Sequence, residues 1–407
     1  MKKIIQIVIV LLAFCLNTML SQVDFEKYPF INYNVNHLYF SKDSSSFLKL
    51  YKKMNELSSS KKNNTINVAH IGGSHVQGGT WSNSFLNSLQ NEFKTIGGGF
   101  FVFPYKIAKT NSQPYSSSFS NGEWKKCRCT TKGFCLPLGM NGMSIKTNDS
   151  TNYFGVMLTH KAVCKSFNTV KVYHNFNQSF DFDIAKKHNL KAERIERKEL
   201  GYTQFNLEMP VDSISFDLIR KDTLQKDFII FGFGLENNLN SGFYFAGLGA
   251  NGASSSSFLK CTYFEQQLKS IHPDLVIISL GVNDTQAKNF EKEEFIEHYD
   301  SLILVIKKTN PNVAILLTTT TDNFIKRRTA NKRSVSAHAA MFELMEKHHL
   351  GVWDMYEFMG GFKSMMKWTK VGLGAKDRVH FSPKGYNILG YYMFEAFIKS
   401  YYANTKK

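Results

Sequence analysis

Two short runs of β-branched and aliphatic residues, 66–71 and 275–280, each stop at glycine, and each leads into a stretch whose apolar residues return every three or four positions. After the first come Phe85, Leu86, Leu89 and Phe93, and after the second Phe295, Tyr299, Leu302, Ile303 and Ile306. An unbroken apolar run reads as a strand buried on both faces, and the change to a period of 3.6 reads as a helix that covers it. The unit recurs: a strand at 314–317, a helix at 335–348, a short strand at 351–353, and a final helix that Ser382 caps and Pro383 opens, with Leu389, Met393 and Phe397 on its inner face. Strands alternating with helices predict an α/β fold, a three-layer α/β/α arrangement around a parallel sheet.

Between the first and second of these units the pattern changes. From 148 to 235 the helical period fades, and the runs 169–173, 213–218 and 228–233 are rich in β-branched and aromatic residues. Ile214, Phe216 and Leu218 alternate with polar neighbours, as a half-buried antiparallel strand requires. The chain therefore divides into a discontinuous α/β domain, 22–147 and 236–407, and an inserted β-sandwich, 148–235. With 407 residues and 43% hydrophobic composition there is material for both.

Residues 1–21 have the secretory pattern of two lysines, an apolar run from Ile4 to Cys15 and a polar tail, which predicts export to the periplasm or beyond. That run is short for a spanning helix, and no later segment approaches the ~20 residues a span needs. The net charge of +17 favours anionic surroundings. For an exported protein these are cell-wall polymer or acidic glycans, and no nucleic-acid partner is assigned. Five cysteines follow the leader: Cys127, Cys129, Cys135, Cys164 and Cys261. They allow two disulfides and one remaining thiol, the first three lying close enough to staple a local loop, with the pairing left open. Cys127-Arg128-Cys129 fits no zinc spacing, so no metal is expected.

Three motifs then carry chemistry. Gly72-Gly73-Ser74-His75 places a hydroxyl where a strand meets a helix, at the sheet edge where open α/β sheets bind ligands. Gly281-Val282-Asn283-Asp284 places a side-chain amide after the next strand of the same kind, and Asp377-Arg378-Val379-His380 sets a carboxylate three residues before an imidazole, just ahead of the last helix. A hydroxyl nucleophile, an amide donor and an Asp/His pair are the parts serine ester hydrolysis needs. His75, adjacent to Ser74, is expected to be a packed or hydrogen-bonded neighbour of the site. The basic run Lys326, Arg327, Arg328, Lys332 and Arg333 reads as a solvated loop entering a helix.

In block order, the chain resembles the SGNH hydrolases, also called the GDSL family: Gly72-Gly73-Ser74-His75, then Gly252 within Ala250-Asn251-Gly252-Ala253, then Gly281-Val282-Asn283-Asp284, then Asp377-Arg378-Val379-His380. The resemblance implies Ser74 as nucleophile, His380 as general base and acid, and Asp377 as its orienter. It implies an oxyanion hole built from the backbone N–H of Ser74, the backbone N–H of Gly252 and the side chain of Asn283, with no cofactor. The family usually has Asp where this chain has Gly73. The longer blocks, 71–77 and 249–253, with a β-rich insertion between them, are similar to peptidoglycan O-acetylesterases, whose inserted module resembles a carbohydrate-binding domain.

The expectation is an exported serine esterase that removes O-acetyl groups from a cell-wall or extracellular glycan. The same architecture is similar to that of O-acetyltransferases, which pass the acyl group to a sugar hydroxyl, and a non-catalytic glycan-binding protein is the third alternative. The sequence leaves the glycan and the oligomeric state open.

Overall fold

The computed structural model describes residues 28–59, 63–177, 179–223 and 226–405. The secretory leader expected at 1–21 lies outside the described residues. Among those described, no helix is long and apolar enough to cross a membrane.

At the centre are six parallel strands in the order β19-β16-β15-β2-β14-β3: β2 (Thr65–Gly72), β3 (Gly97–Val102), β14 (Gly242–Gly249), β15 (Leu275–Ser279), β16 (Ala314–Thr318) and β19 (Gly351–Trp353). β1 (Leu38–Phe40) closes one edge antiparallel to β19. The parallel strands are buried along almost their whole length, which is why β15, β16 and β19 read as apolar runs. Helices Ser45–Ser59, Thr80–Phe93 and Pro383–Thr405 pack together over the sheet, and helices Phe264–Ile271, Lys292–Thr309 and Arg333–His348 form a second group that also reaches it. Ser382 accepts a hydrogen bond from Gly385 N–H (3.2 Å), so the last helix starts at its expected cap.

The β-rich part begins earlier than residue 148 and is not a detached domain. Its strands β8 (Phe167–His174), β10 (Ala192–Arg197), β11 (Tyr202–Val211) and β13 (Phe228–Asn237) continue the central sheet, because β13 pairs with β3. A second sheet, β4 (Ser116–Ser120), β7 (Tyr153–Leu158), β12 (Ser213–Arg220) and β9 (Phe180–Ile184), lies over this extension. β5 (Lys125–Arg128) and β6 (Met143–Thr147) attach to β13. The two sheets meet through Phe154 against Phe228 and Phe233, and Phe205 against Phe216, with ring centroids 5.2–6.0 Å apart. Sequence periodicity missed β3 and β14 because both are glycine-rich. A Cβ on Gly98 would fall 2.1 Å from Phe243 O, and one on Gly242 would fall 2.1 Å from Gly97 O. The two backbones touch there, so the glycines that read as breakers are what lets these strands pair.

The chain leaves β16 through residues 319–323, all buried. One carboxylate oxygen of Asp322 accepts the Met365 N–H (2.9 Å). Burial pushes this carboxyl up to about 6, against hydrogen bonds from the backbone of Met365, Lys363 and Asn323. Below about pH 4 the group is neutral in both folded and unfolded chains; between about 4 and 6 the unfolded chain ionises first, so stability falls as pH rises, and above that the loss is constant. Asp322→Asn is therefore expected to exceed the wild type in stability at pH 8 by on the order of 2 kcal/mol and to match it near pH 4. Urea titrations at the two pH values measure this, and an equal difference at both would exclude a charged Asp322 as the cause.

Candidate active site

β2 ends at Gly72, Gly73 follows, and a single helical turn, Ser74–Gln77, begins immediately. Gly73 occupies the N-cap position, which leaves the Ser74 side chain free to point out of the turn. The Ser74 Oγ lies 2.7 Å from His380 Nε2, and His380 Nδ1 lies 2.7 Å from Asp377 Oδ2. Ser74 thus joins a pair more than 300 residues further along the chain in one hydrogen-bonded line. The other Asp377 oxygen accepts the N–H groups of Val379 (2.9 Å) and His380 (3.0 Å). Burial raises the Asp377 carboxyl, but these bonds and the imidazole more than offset it and hold the group below the usual carboxylate range. A carboxylate that stays charged fixes the His380 tautomer and ring orientation.

The loop bearing Asp377 and His380 is anchored at both ends. Ala375 N–H donates to His380 O (2.7 Å) and Ser382 N–H to Leu373 O (2.8 Å). Arg378, at φ +58°, stacks its guanidinium 5.3 Å above the Phe324 ring and donates to Arg327 O (3.0 Å). Phe324 belongs to a two-strand ribbon, β17 (Phe324–Ile325) and β18 (Thr329–Ala330), so the basic run at 326–328 forms the tip of a hairpin that supports the loop. His75 is buried, and its Nδ1 bonds the Tyr386 hydroxyl (2.8 Å) with its ring 5.2 Å from that of His380. Burial, reinforced by the neighbouring imidazole, drives it down to about 3, so it is a neutral wall beside His380.

The two remaining candidate donors face the same edge. Gly252 sits in the loop after β14 at φ +83°, a conformation glycine takes without strain. Asn283 opens the helix Val282–Gln286 after β15, and its Nδ2 donates one N–H to Ala253 O (2.9 Å), leaving the second available. A Cβ on Gly73 would lie 3.1 Å from that Nδ2 and 3.3 Å from Ala253 O. The small residue at 73 is thus matched to an amide that sits close over it.

Sequence reasoning missed the side chains that hold these donors. Asp284 accepts from Ser255 N–H (3.0 and 3.1 Å) and from its hydroxyl (2.6 Å), which cross-braces the Gly252 loop to the helix carrying Asn283. His298 Nδ1 reaches the same hydroxyl (3.2 Å). Burial raises the Asp284 carboxyl, with the Ser255 bonds opposing the shift. Gln77 accepts the Asn251 N–H (2.7 Å) and donates to Asn111 O (3.1 Å), joining the nucleophile turn to the Gly252 loop and to the β-rich part. Asn323 bonds Gln286 (2.6 Å), Asn331 and Ser334 (both 3.0 Å), pinning the far end of the Asn283 helix. A cavity of about 300 Å³ opens beside the donors, lined by Gly252, Asn283, Asp284, Phe290, Glu294 and His298 among others. Among the described residues no cluster of histidine, cysteine and acidic side chains could hold a metal ion.

Residues 223–388 match the model of the GDSL-like Lipase/Acylhydrolase family, a span that includes Gly252, Asn283, Asp377 and His380. Ser74 lies before it because the long β-rich segment intervenes. The structure resembles that of a peptidoglycan O-acetylesterase with a TM-score of 0.74 at 18% identity, covering 90% of this chain and 99% of that one. A GDSL-like lipase from Bacteroides thetaiotaomicron and an acetyl xylan esterase match a smaller part, each with a TM-score of 0.32 at 20% identity, covering 39% of this chain and 76% and 82% of theirs. Comparison with curated proteins finds no sequence match. Over residues 223–388 the chain thus matches the GDSL-like Lipase/Acylhydrolase family, and its fold is that of the peptidoglycan O-acetylesterase structure.

The bracing by Asp284 makes a prediction. Asp284→Ala leaves the Ser255 N–H buried without an acceptor and frees the Gly252 loop. Steady-state kinetics on a small acetyl ester are expected to show kcat lowered by on the order of tenfold or more, with KM changed much less, the pattern of interactions lost in the transition state. A raised KM at unchanged kcat would show that the carboxylate serves substrate binding instead.

Proposed function

We propose that this protein is exported and removes O-acetyl groups from a cell-wall glycan, peptidoglycan first, through an acyl-enzyme on Ser74. Ser74 Oγ attacks the acetyl carbonyl while His380 Nε2 takes its proton, and Asp377 steadies the resulting imidazolium. The tetrahedral oxyanion is held by the backbone N–H groups of Ser74 and Gly252 and by the second N–H of Asn283. Collapse expels the sugar oxygen, which recovers the proton from His380. Water activated by the same imidazole then releases acetate. The observation that carries this reading is the continuous line from Ser74 through His380 to Asp377 at 2.7 Å per link.

The glycan class is supported by likeness along nearly the full length to the peptidoglycan O-acetylesterase structure, which includes the β-rich part, and by the +17 net charge, which suits an anionic polymer. Export is supported by the Lys2-Lys3 start and the apolar run that follows. The β-rich part offers a cleft of about 570 Å³ lined by Lys109, Asn121, Trp124, Lys125, Lys146 and Asp227 among others, and we assign it to glycan presentation. Because β13 and β3 continue the central sheet, this role is tested by point substitution and not by excision.

Ser74→Ala is expected to abolish acetate release from an activated ester with the far-ultraviolet circular dichroism unchanged, and Asn283→Ala to lower kcat by on the order of a hundredfold. Near wild-type hydrolysis by Ser74→Ala would remove the assignment. With an activated acetyl donor and excess acetyl-free glycan oligomer, mass spectrometry is expected to find the acetyl group mainly as free acetate; recovery on the oligomer would make the protein a transferase with the same residues.

Lys109→Glu combined with Lys125→Glu reverses charge on two exposed side chains of the cleft. Hydrolysis of a small ester is expected to stay unchanged while acetate release from O-acetylated peptidoglycan falls several-fold, an effect that shrinks as salt is added. Equal rates on the polymer would deny the cleft this role.

A further inference from the structure

The loop that carries Gly252 is bounded by two cysteines that the mechanism does not use. Cys261 ends the 3-10 turn Phe258–Lys260 that closes this loop, and its Sγ bonds Ser257 O (3.8 Å). Cys129 follows β5, its N–H donates to Gly142 O (2.8 Å), and its side chain also reaches Ser257. Both thiols are buried, and each side chain is the largest influence on the other's titration. The segments bearing the two cysteines come together around Gly142. The position a Cβ would take on Gly142 lies 2.9 Å from Cys129 Sγ, 3.3 Å from Ala250 and 3.5 Å from Phe258. Thr130 Cγ2 comes within 3.6 Å of the corresponding point on Gly252 itself. Two residues before Cys129, Cys127 is already in a disulfide with Cys135. Cys164 is placed elsewhere, its Sγ on Ser166 O (3.2 Å).

We propose that Cys129 and Cys261 form a second disulfide when the protein folds under oxidising conditions, and that this bond fixes the Gly252 loop against the stapled loop of the β-rich part. A small-molecule disulfide such as oxidised glutathione supplies the oxidising equivalents. Cys129 gives up its proton and its sulfur attacks one sulfur of the oxidant, releasing one glutathione thiolate. Cys261 then loses its proton and attacks the Cys129 sulfur, releasing the second. Two thiols are oxidised, one glutathione disulfide is reduced to two glutathiones, and two electrons pass. Burial of both sulfurs in the finished fold places the reaction during folding, before the loop docks. The bond would join points far apart in sequence, the case in which a cross-link most restricts the unfolded chain.

The sequence makes the test clean. Trypsin cuts after Arg128, Lys132, Lys260 and Lys269, so Cys129 and Cys261 fall in separate short peptides, 129–132 and 261–269, apart from Cys127. Protein from residue 22 onward is refolded in a reduced and oxidised glutathione buffer, alkylated in acid, digested without reductant and read by mass spectrometry. Peptides 129–132 and 261–269 are expected joined, with Cys164 as the one alkylated cysteine. Alkylation of both Cys129 and Cys261, or either sulfur joined to Cys164, would overturn the proposal. This mapping uses the unaltered chain and does not depend on the esterase reading.

A second arm addresses the loop and does rest on that reading. The refolded, oxidised protein is expected to melt on the order of 5 °C above the Cys129→Ala, Cys261→Ala double variant and to turn over a small ester several-fold faster at similar KM. Cys164→Ala is expected to match the wild type in turnover. Equal melting points for oxidised protein and double variant would exclude a stabilising bond.

Discussion

Strand β2 lies in parallel between β14 and β15, with Gly72 opposite Gly249 on one side and Ser279 on the other. The site depends on that pair of ladders. Because the three strands end level, the turns that follow them bring Ser74, Gly252 and Asn283 to one short stretch of sheet edge. The C-terminal ends of parallel strands also direct helix N-termini there, so N–H groups collect at that edge. His380 comes from outside this set. It reaches Ser74 because the last helix folds back over helix Thr80–Phe93 and carries the preceding loop with it.

Positioning within the edge is done by polar side chains that are themselves held. Asn283 is tied to Ala253, Asp284 to Ser255, Gln77 to Asn251, and Arg378 to the 324–330 ribbon. Such bonds cost little in the folded state, because each buried donor meets an acceptor, and losing one partner leaves the other unsatisfied. Gly73 belongs to the same economy of space. With the Asn283 amide 3.1 Å from where its Cβ would be, a side chain there would have to displace that amide.

The β-rich part is bound into the enzyme by backbone pairing, since β13 and β3 make one sheet of what the sequence presents as two kinds of region. Continuity of that kind transmits position: the cleft near Trp124 and the edge bearing Ser74 are set relative to one another by a ladder instead of a linker. The contacts from Gln77 to residues 110–111 add a direct polar link.

By itself the sequence determined the βα order, the positions of the strands carrying Ser74 and Asn283, the start of the last helix at Pro383, and the chemical identity of Ser74, Gly252, Asn283, Asp377 and His380. These are local properties: hydrophobic period, capping and turn chemistry are written within a few residues of where they act. Even the packed, hydrogen-bonded place of His75 follows from its adjacency to Ser74, while its neutrality comes from burial. Tertiary structure alone decided that glycine-rich 97–102 and 242–249 are strands, that the insertion joins the central sheet, and that Asp284 meets Ser255. It also decided that Cys129 meets Cys261. Each of these is a contact between segments far apart in the chain, made where two backbones touch or a buried donor finds its acceptor, and no periodicity records such a meeting.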